Sequence, residues 1–364
     1  MTILPEGFQD QLPPYAEAAA AFARSVLDTM RKFGYQRVAP PLAEYESTLT
    51  HRMSSGGRQL MRVVDPISQA TIAFRSDMTV QVGRIATTTL ADASRPLRLS
   101  YSGDTLRLRA GQLNPERMRR QIGAELIGSD SVAAACEILT VAIAALQGAG
   151  LGRLTVDFTM PDAVDLLSEA ALPLDQATRA AVRAELDMKD AGGLVSAGGA
   201  DYLPLIAAAG PFADALARLR AFDTTQCLAT RLDGLEKVAA AIGDSAVLTL
   251  DPTERHGFEY QSWFGFTIYA EGLSTAIGRG GSYQVGESAE PAVGFSIYPD
   301  PFVRQSAIET RVERLFLPLG TMAAVANQLR DTGWVTVAAL SESDSAERLG
   351  CTHVLIAGEA TPID

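Results

Sequence analysis

The 364 residues predict an α+β protein: an antiparallel sheet flanked by helices, with a helical insertion and a small C-terminal α/β unit. Three patterns predict it. Short apolar or alternating runs bounded by turn residues recur at 63–108, 121–128 and 246–298, as in hairpin-connected strands. Residues 162–243 are helical in period and poor in aromatics, so they read as an insertion. Between 314 and 357 strands and helices alternate, the pattern of a parallel α/β unit. The expected division is a core over 1–300 with its insertion at about 162–243, and a unit over 313–364 beyond the polar, proline-bearing link 299–312. One domain usually takes ~100–200 residues, which agrees with that division.

The elements follow in order. Residues 14–33 place Phe22, Val26, Leu27, Met30 and Phe33 at helical spacing, with Pro13 and Pro14 at the start and Gly34 at the end. YQRVAPPLAEYESTL (35–49) reads as extended, and Pro40 and Pro41 confine any strand there to an edge or interface. RVVDP (62–66), TIAF (71–74) and RPLRLSYSG (95–103) read as strands, with VQVGRIATTTLA (80–91) as a helix between them. In the strand QIGAELIG (121–128), alternation puts Gln121, Gly123 and Glu125 on one face. An alanine-rich helix spans 131–148 with Ser129 or Asp130 as its cap, and LTVDFTM (154–160) is a strand. Strands return at 246–250, 257–269, 273–278 and 292–298. GRGG (278–281) reads as a hairpin turn, because no helix opens after it as a dinucleotide fingerprint requires. At the end come strand 314–320, helix 321–333, strand 334–340, short helix 343–350 and strand 351–358.

Composition excludes several function classes. Net charge is −12 and the pI about 4.8, which disfavours a broad nucleic-acid surface, tRNA included. Three cysteines and three histidines, without a Cys-x-x-Cys or His-x-x-x-His pair, predict neither disulfide framework nor metal site. The amino terminus has no basic region or apolar stretch. The most apolar run, Ile138–Leu146, is far below the ~20 residues of a membrane helix. A soluble cytoplasmic protein with no membrane contact is expected. There is no Gly-x-Ser-x-Gly and no phosphate loop, so no catalytic residue and no cofactor is predicted. Charge is uneven, however: residues 51–120 hold 12 arginines and five acids. Most of these arginines are expected to be scattered over the surface.

The informative residues are polar groups inside apolar strands: Asp77, Thr79, Arg107, Gln121, Glu125, Glu259, Tyr260 and Tyr283. Burying each without a partner costs about 1–3 kcal/mol. Such a cluster is either an internal network that satisfies itself or a pocket for a zwitterion, with carboxylates for an ammonium and a guanidinium for a carboxylate.

Five segments in order resemble the core of class II aminoacyl-tRNA synthetases, specifically the histidyl-tRNA synthetase branch, over about residues 4–298. LPEGFQDQLPPYAEA (4–18) resembles that branch's start. GYQRVAPPLAEYE (34–46) resembles the first motif, which implies a homodimer interface. FRSDMTVQVGRI (74–85), YSGDTLR (101–107) and QIGAELIG resemble the second. GFEYQSWFGFTIY (257–269) and GRGGSYQVGESAEPAVGFSI (278–297) resemble the stretches that define the histidine pocket. The resemblance implies a histidine-binding set of Asp77, Thr79, Arg107, Gln121, Glu125, His256, Tyr260 and Tyr283. His256, or Arg255 with a one-residue slip, stands at the family's arginine.

The departures redirect the functional expectation. The third-motif arginine, which binds the ATP γ-phosphate, falls on Pro301, which also interrupts the expected helix start. Gln261, Ser282 and Gln284 replace a tyrosine, an arginine and an aspartate of the pocket stretches. Losing such charge clamps costs transition-state stabilisation. What is left resembles the regulatory-subunit family of ATP phosphoribosyltransferase, as do DMTVQVGRI and the carboxy-terminal RLFLPLGTMAAVANQLRDTGW. That resemblance implies a non-enzymatic partner of a short-form catalytic subunit in a hetero-oligomer. Its role would be in the first step of histidine biosynthesis, with L-histidine as feedback effector. The alternatives are a histidyl-tRNA synthetase and a paralogue acting on another amino acid.

Overall fold

A computed structural model describes residues 3–50, 60–109, 116–255, 261–309 and 312–363. The chain divides into two units, 1–304 and 305–364. In the first, α1 (Tyr15–Lys32) precedes β1 (Gln36–Arg37), β2 (Ala43–Tyr45) and α2 (Glu46–Thr50). Next come β3 (Arg62–Val64), β4 (Thr71–Phe74), α3 (Thr79–Thr87), β5 (Leu97–Leu106), β6 (Met118–Ile127), α4 (Val132–Gly148) and β7 (Leu154–Thr159). The insertion holds α5 (Ala163–Ala170), α6 (Gln176–Asp187), α7 (Ala191–Ser196), α8 (Leu203–Ala208), β8 (Gly210–Pro211), α9 (Phe212–Phe222) and α10 (Ala229–Ile242). It is followed by β9 (Val247–Leu250), β10 (Gln261–Ala270), β11 (Gly278–Val285) and β12 (Glu290–Ile297), and α11 (Asp300–Glu309) begins in the first unit and ends in the second.

Among the described residues nine strands form one sheet in the order β1-β5-β6-β12-β11-β10-β7-β9-β8, antiparallel except at β1/β5 and β7/β9. One face is apolar. Ile122, Ala124 and Leu126 of β6 join Val26 of α1, Ile138 and Leu139 of α4, Leu186 of α6 and Leu235 of α10 in a single core. The insertion therefore shares the core of the sheet, and β8 and β9 extend the sheet beyond β7. The other face carries Gln121 and Glu125, and α3 covers part of it through Met78, Val82 and Ala86 against Leu99 and Tyr101. No helix among the described residues is long and apolar enough to cross a membrane.

Several local expectations differ from the structure. The α4 cap is Ser131, whose Oγ accepts from the Ala134 N–H at 3.3 Å, and Ser129 instead supports that hydroxyl at 3.0 Å. Residues 46–50 are helical, not extended. GRGG lies inside β11, and no strand occupies 273–277. Its glycines answer close packing instead: a Cβ on Gly280 would lie 2.3 Å from the Gly294 carbonyl oxygen and 2.5 Å from the Phe266 ring. Pro301 does not interrupt α11. It sits in the first turn, where a missing N–H costs no intrahelical bond.

The arginine expectation is also corrected. Of the ten described arginines in 51–120 only Arg62 and Arg109 are exposed. Arg84 pairs with Glu44, Arg95 with Glu290, Arg98 with Glu137 and Arg120 with Asp104. Arg75 is buried and donates to the carbonyls of Asp104 and Pro40, both at 2.8 Å, pinning the proline segment to β5. Arg75→Ala strands these acceptors and is expected to cost about 3 kcal/mol, read as a lower urea midpoint.

The second unit contains β13 (Arg314–Leu317), α12 (Ala323–Asp331), β14 (Val335–Ala338), β15 (His353–Ile356) and β16 (Glu359–Pro362). Its order is β14-β13-β15-β16, with β13 parallel to β14 and β15 and a closing antiparallel hairpin. Residues 343–350 form turns and no helix.

Candidate functional site

The polar residues of the open face converge because antiparallel register keeps facing residues on one side. Tyr101 of β5 pairs with Gly123 of β6, which pairs with Ser296 of β12. Gly123 leaves room for the Tyr101 ring: a Cβ there would lie 2.4 Å from its Cζ. Glu125 pairs with Gly294, and the absent side chain leaves space for the carboxylate.

The hydrogen bonds run in one direction. Gln121 accepts the Met78 N–H on Oε1 at 2.9 Å and donates through Nε2 to Ser296 Oγ at 2.8 Å. Ser296 Oγ and Thr79 Oγ1 lie 3.1 and 3.2 Å from the Tyr101 hydroxyl. Tyr101 gives its one proton to Glu125 Oε1 at 3.0 Å, so the serine and the threonine are the donors to it. Tyr283 donates to the other carboxylate oxygen at 2.7 Å. Such a chain polarises toward its terminal acceptor, Glu125. Asp77 accepts the Thr79 N–H at 2.7 Å and Gln121 Nε2 at 3.3 Å.

Burial dominates the electrostatics. Glu125 is 1% exposed, and loss of solvent pushes its carboxyl up to about 8, against the two tyrosine hydrogen bonds that favour ionisation. Burial thus disfavours ionisation of a carboxyl whose two oxygens both accept from tyrosines, close to Asp77. Arg107, just past β5, makes no side-chain hydrogen bond or ion pair among the described residues. Burial, then repulsion from Arg119, lowers its pKa.

The structure brings Asp77, Thr79, Gln121, Glu125 and Tyr283 into one network and puts Arg107 in the same electrostatic neighbourhood, where it senses Asp77. His256, Glu259 and Tyr260 lie outside the described residues. Tyr101 and Ser296 were missed by sequence reasoning. Both stand opposite the glycine between Gln121 and Glu125, a cross-strand relation that no local sequence pattern signals. Ser282, assigned to a pocket stretch, lies on the opposite face from Tyr283. Its Oγ accepts the N–H groups of Trp263 and Phe264 at 3.2 and 3.1 Å, where β10 bulges between Gln261 and Gly265. Ser282→Ala leaves both amides buried and unpaired. It is expected to lower thermal stability by about 2 kcal/mol without altering ligand affinity. Among the described residues no group of three metal-ligating side chains comes together.

Comparison with known proteins agrees with this architecture. Residues 7–302 match the histidyl-tRNA synthetase family. A solved protein from Bacillus halodurans, described as an ATP phosphoribosyltransferase regulatory subunit/histidyl-tRNA synthetase, superposes with a TM-score of 0.82, covering 96% of each chain at 24% identity. Histidyl-tRNA synthetase from Nostoc gives a TM-score of 0.80 over 98% of this chain and 91% of that one, at 16% identity. These two establish the fold. In sequence, the ATP phosphoribosyltransferase regulatory subunit of Rhodospirillum centenum is 41% identical over all of this chain and 97% of its own. That of Paramagnetospirillum magneticum is 41% identical over 97% and 96%. Identity of that level along the whole length places the chain in the family of ATP phosphoribosyltransferase regulatory subunits, regulatory and not catalytic proteins built on a histidyl-tRNA synthetase-like fold.

Proposed function

We propose that the chain joins a short-form catalytic ATP phosphoribosyltransferase subunit in a hetero-oligomer of the cytoplasm. There it supports the first step of L-histidine biosynthesis and relays inhibition by L-histidine. The observation that carries the effector reading is the carboxyl of Glu125, held on both oxygens by Tyr101 and Tyr283 close to Asp77. A histidine ammonium and imidazole N–H require acceptors of that kind, and Arg107 supplies a fork for its carboxylate. Feedback needs the effector to favour one state of the complex, with coupling on the order of 1–3 kcal/mol. The proline segment between α1 and α2, resembling a dimer motif, would make a symmetric homodimeric hub.

Calorimetry with L-histidine tests the site. A ligand held by one fork and two carboxylates is expected to bind with about −7 to −8 kcal/mol, and Arg107→Ala and Glu125→Ala each to cost about 1–3 kcal/mol. With the catalytic subunit present, histidine should inhibit the wild-type complex, and both variant complexes should escape. Absence of binding to the assembled complex refutes the effector reading. Histidine-dependent ATP–pyrophosphate exchange by the chain alone would support a synthetase instead.

A further inference from the structure

The sheet of the second unit ends on an unguarded strand. β14 has β13 as its one neighbour in the sheet, and from Thr332 to Ser341 the chain carries no charge and no proline. A free strand edge offers unpaired N–H and C=O groups to any other strand, and charge, proline or shortness normally blunts it. The other sheet edges among the described residues follow that rule. β16 holds Glu359 and Pro362, β8 is two residues long with Pro211, and β1 is two residues long with Arg37. β2 and β3 carry Glu44 and Arg62. In β14 the parallel register, continued by the Ala339 N–H donating to the Leu317 carbonyl, turns the backbone groups of Val335, Val337 and Ala339 inward. Those of Thr336 and Ala338 therefore point outward. Leu340 follows in the same direction, and the Asp344 carboxylate closes its N–H at 2.8 Å.

We infer that β14 pairs antiparallel with β14 of a second copy of this chain, about a two-fold axis at Val337. Thr336 and Ala338 then face Ala338 and Thr336 of the other copy and exchange both backbone hydrogen bonds, as an antiparallel ladder requires. The same register sets Leu340, 90% exposed, opposite Trp334 of the second copy, and Val335, 47% exposed, opposite its Ala339. Opposed residues share a face. Trp334 packs on the α12 side of the sheet and Ala339 on the other, so apolar meets apolar on both faces. Charge agrees with this order. Arg330 donates through Nε to Thr336 Oγ1 at 2.8 Å, in the first half of the strand, and Glu342 and Asp344 follow its end. Antiparallel order turns the arginine of each copy toward the acids of the other, whereas parallel order would set acids beside acids. The contact is isologous, and it is separate from the dimer proposed at the proline segment.

Sedimentation of the full-length chain tests the pairing. An interface one strand wide is expected to hold with a Kd of about 10–100 µM, so concentrations from about 2 to 500 µM bracket it. The wild-type mass should double over that range, whatever state it starts from, and hydrogen exchange in residues 334–340 should slow in step. Leu340→Ser is expected to weaken the association about tenfold and to leave the urea midpoint unchanged, because this side chain is exposed in the single copy. Ala338→Pro removes an outward N–H and no bond to β13, and it should abolish the doubling. Doubling that both variants retain would assign the association to another surface and overturn the pairing. A mass and an exchange rate that do not change across the range overturn it too. So does slowed exchange in 334–340 that requires the catalytic subunit, since that partner would then cover the edge. Failure of the dimer at the proline segment reads differently: it halves the starting mass and leaves the doubling in place.

Discussion

Gly294→Ala is expected to unfold the protein at lower denaturant by about 3 kcal/mol and to remove ligand binding altogether. A Cβ at this position would lie 1.7 Å from Glu125 Oε2, 2.5 Å from its Cδ and 2.8 Å from the Ala124 carbonyl oxygen. Moving a flexible side-chain end usually relieves such a clash. Here the carboxylate is fixed on both oxygens by Tyr101 and Tyr283, and the third neighbour is backbone of the adjacent strand. The new methyl therefore separates β6 from β12 or expels Glu125 from its hydrogen bonds with Tyr101 and Tyr283. The double variant Gly294→Ala/Glu125→Ala should be more stable than the sum of its parts, because the second change removes what the first collides with. Gly152→Ala meets nothing within 4 Å and serves as the control, with an expected change within about 0.5 kcal/mol. Wild-type stability and binding in Gly294→Ala would mean that Glu125 does not occupy this space.

Those glycines mark where sequence reasoning stopped. Period alone located α1, α4, β6 and β7, since each buries one stripe or one set of alternate residues. It also put Gln121 and Glu125 on one face, which is the frame of the site. Glycine, however, was read by local pattern alone, as a turn in GRGG and as a plain strand position at Gly123 and Gly294. In GRGG, and at Gly123 and Gly294, its cause is a side chain or carbonyl from another strand, and cross-strand register is not written in a local pattern. Tyr101 and Ser296 were missed for the same reason. The arginines failed in the opposite sense: composition predicts a charged surface, yet Arg75, Arg84, Arg95 and Arg98 meet partners 29 to 195 positions away. Pro301 shows how one residue type carries two meanings. It stands where the resemblance leads one to expect a phosphate-binding arginine, and it still opens a helix.

Glu125→Gln carries the second large effect, and its sign follows from linkage. The unfolded carboxyl loses its proton near the ordinary value of 4.5, whereas the native one holds it up to about 8. Between those values the native state binds more protons, so this group's contribution to stability is fully present below 4.5 and falls as pH rises toward 8. The interval sets an upper bound of about 5 kcal/mol. Glutamine cannot ionise, accepts from one tyrosine and offers an N–H toward the other. Wild type and variant should therefore differ little at pH 5, and the variant should be the more stable by about 2–3 kcal/mol at pH 9, measured by urea unfolding. An identical pH dependence in both proteins would rule out Glu125 as the titrating group. Binding should show the converse. A cationic ligand must drive Glu125 to its ionised form, so at pH 7 the wild type is expected to release close to one proton per bound ligand, seen as a buffer-dependent heat. The variant should bind weakly and release none. A carboxyl that destabilises the empty chain at neutral pH regains stability when a positive group arrives, and this difference between empty and filled states is the quantity a sensing subunit must transmit.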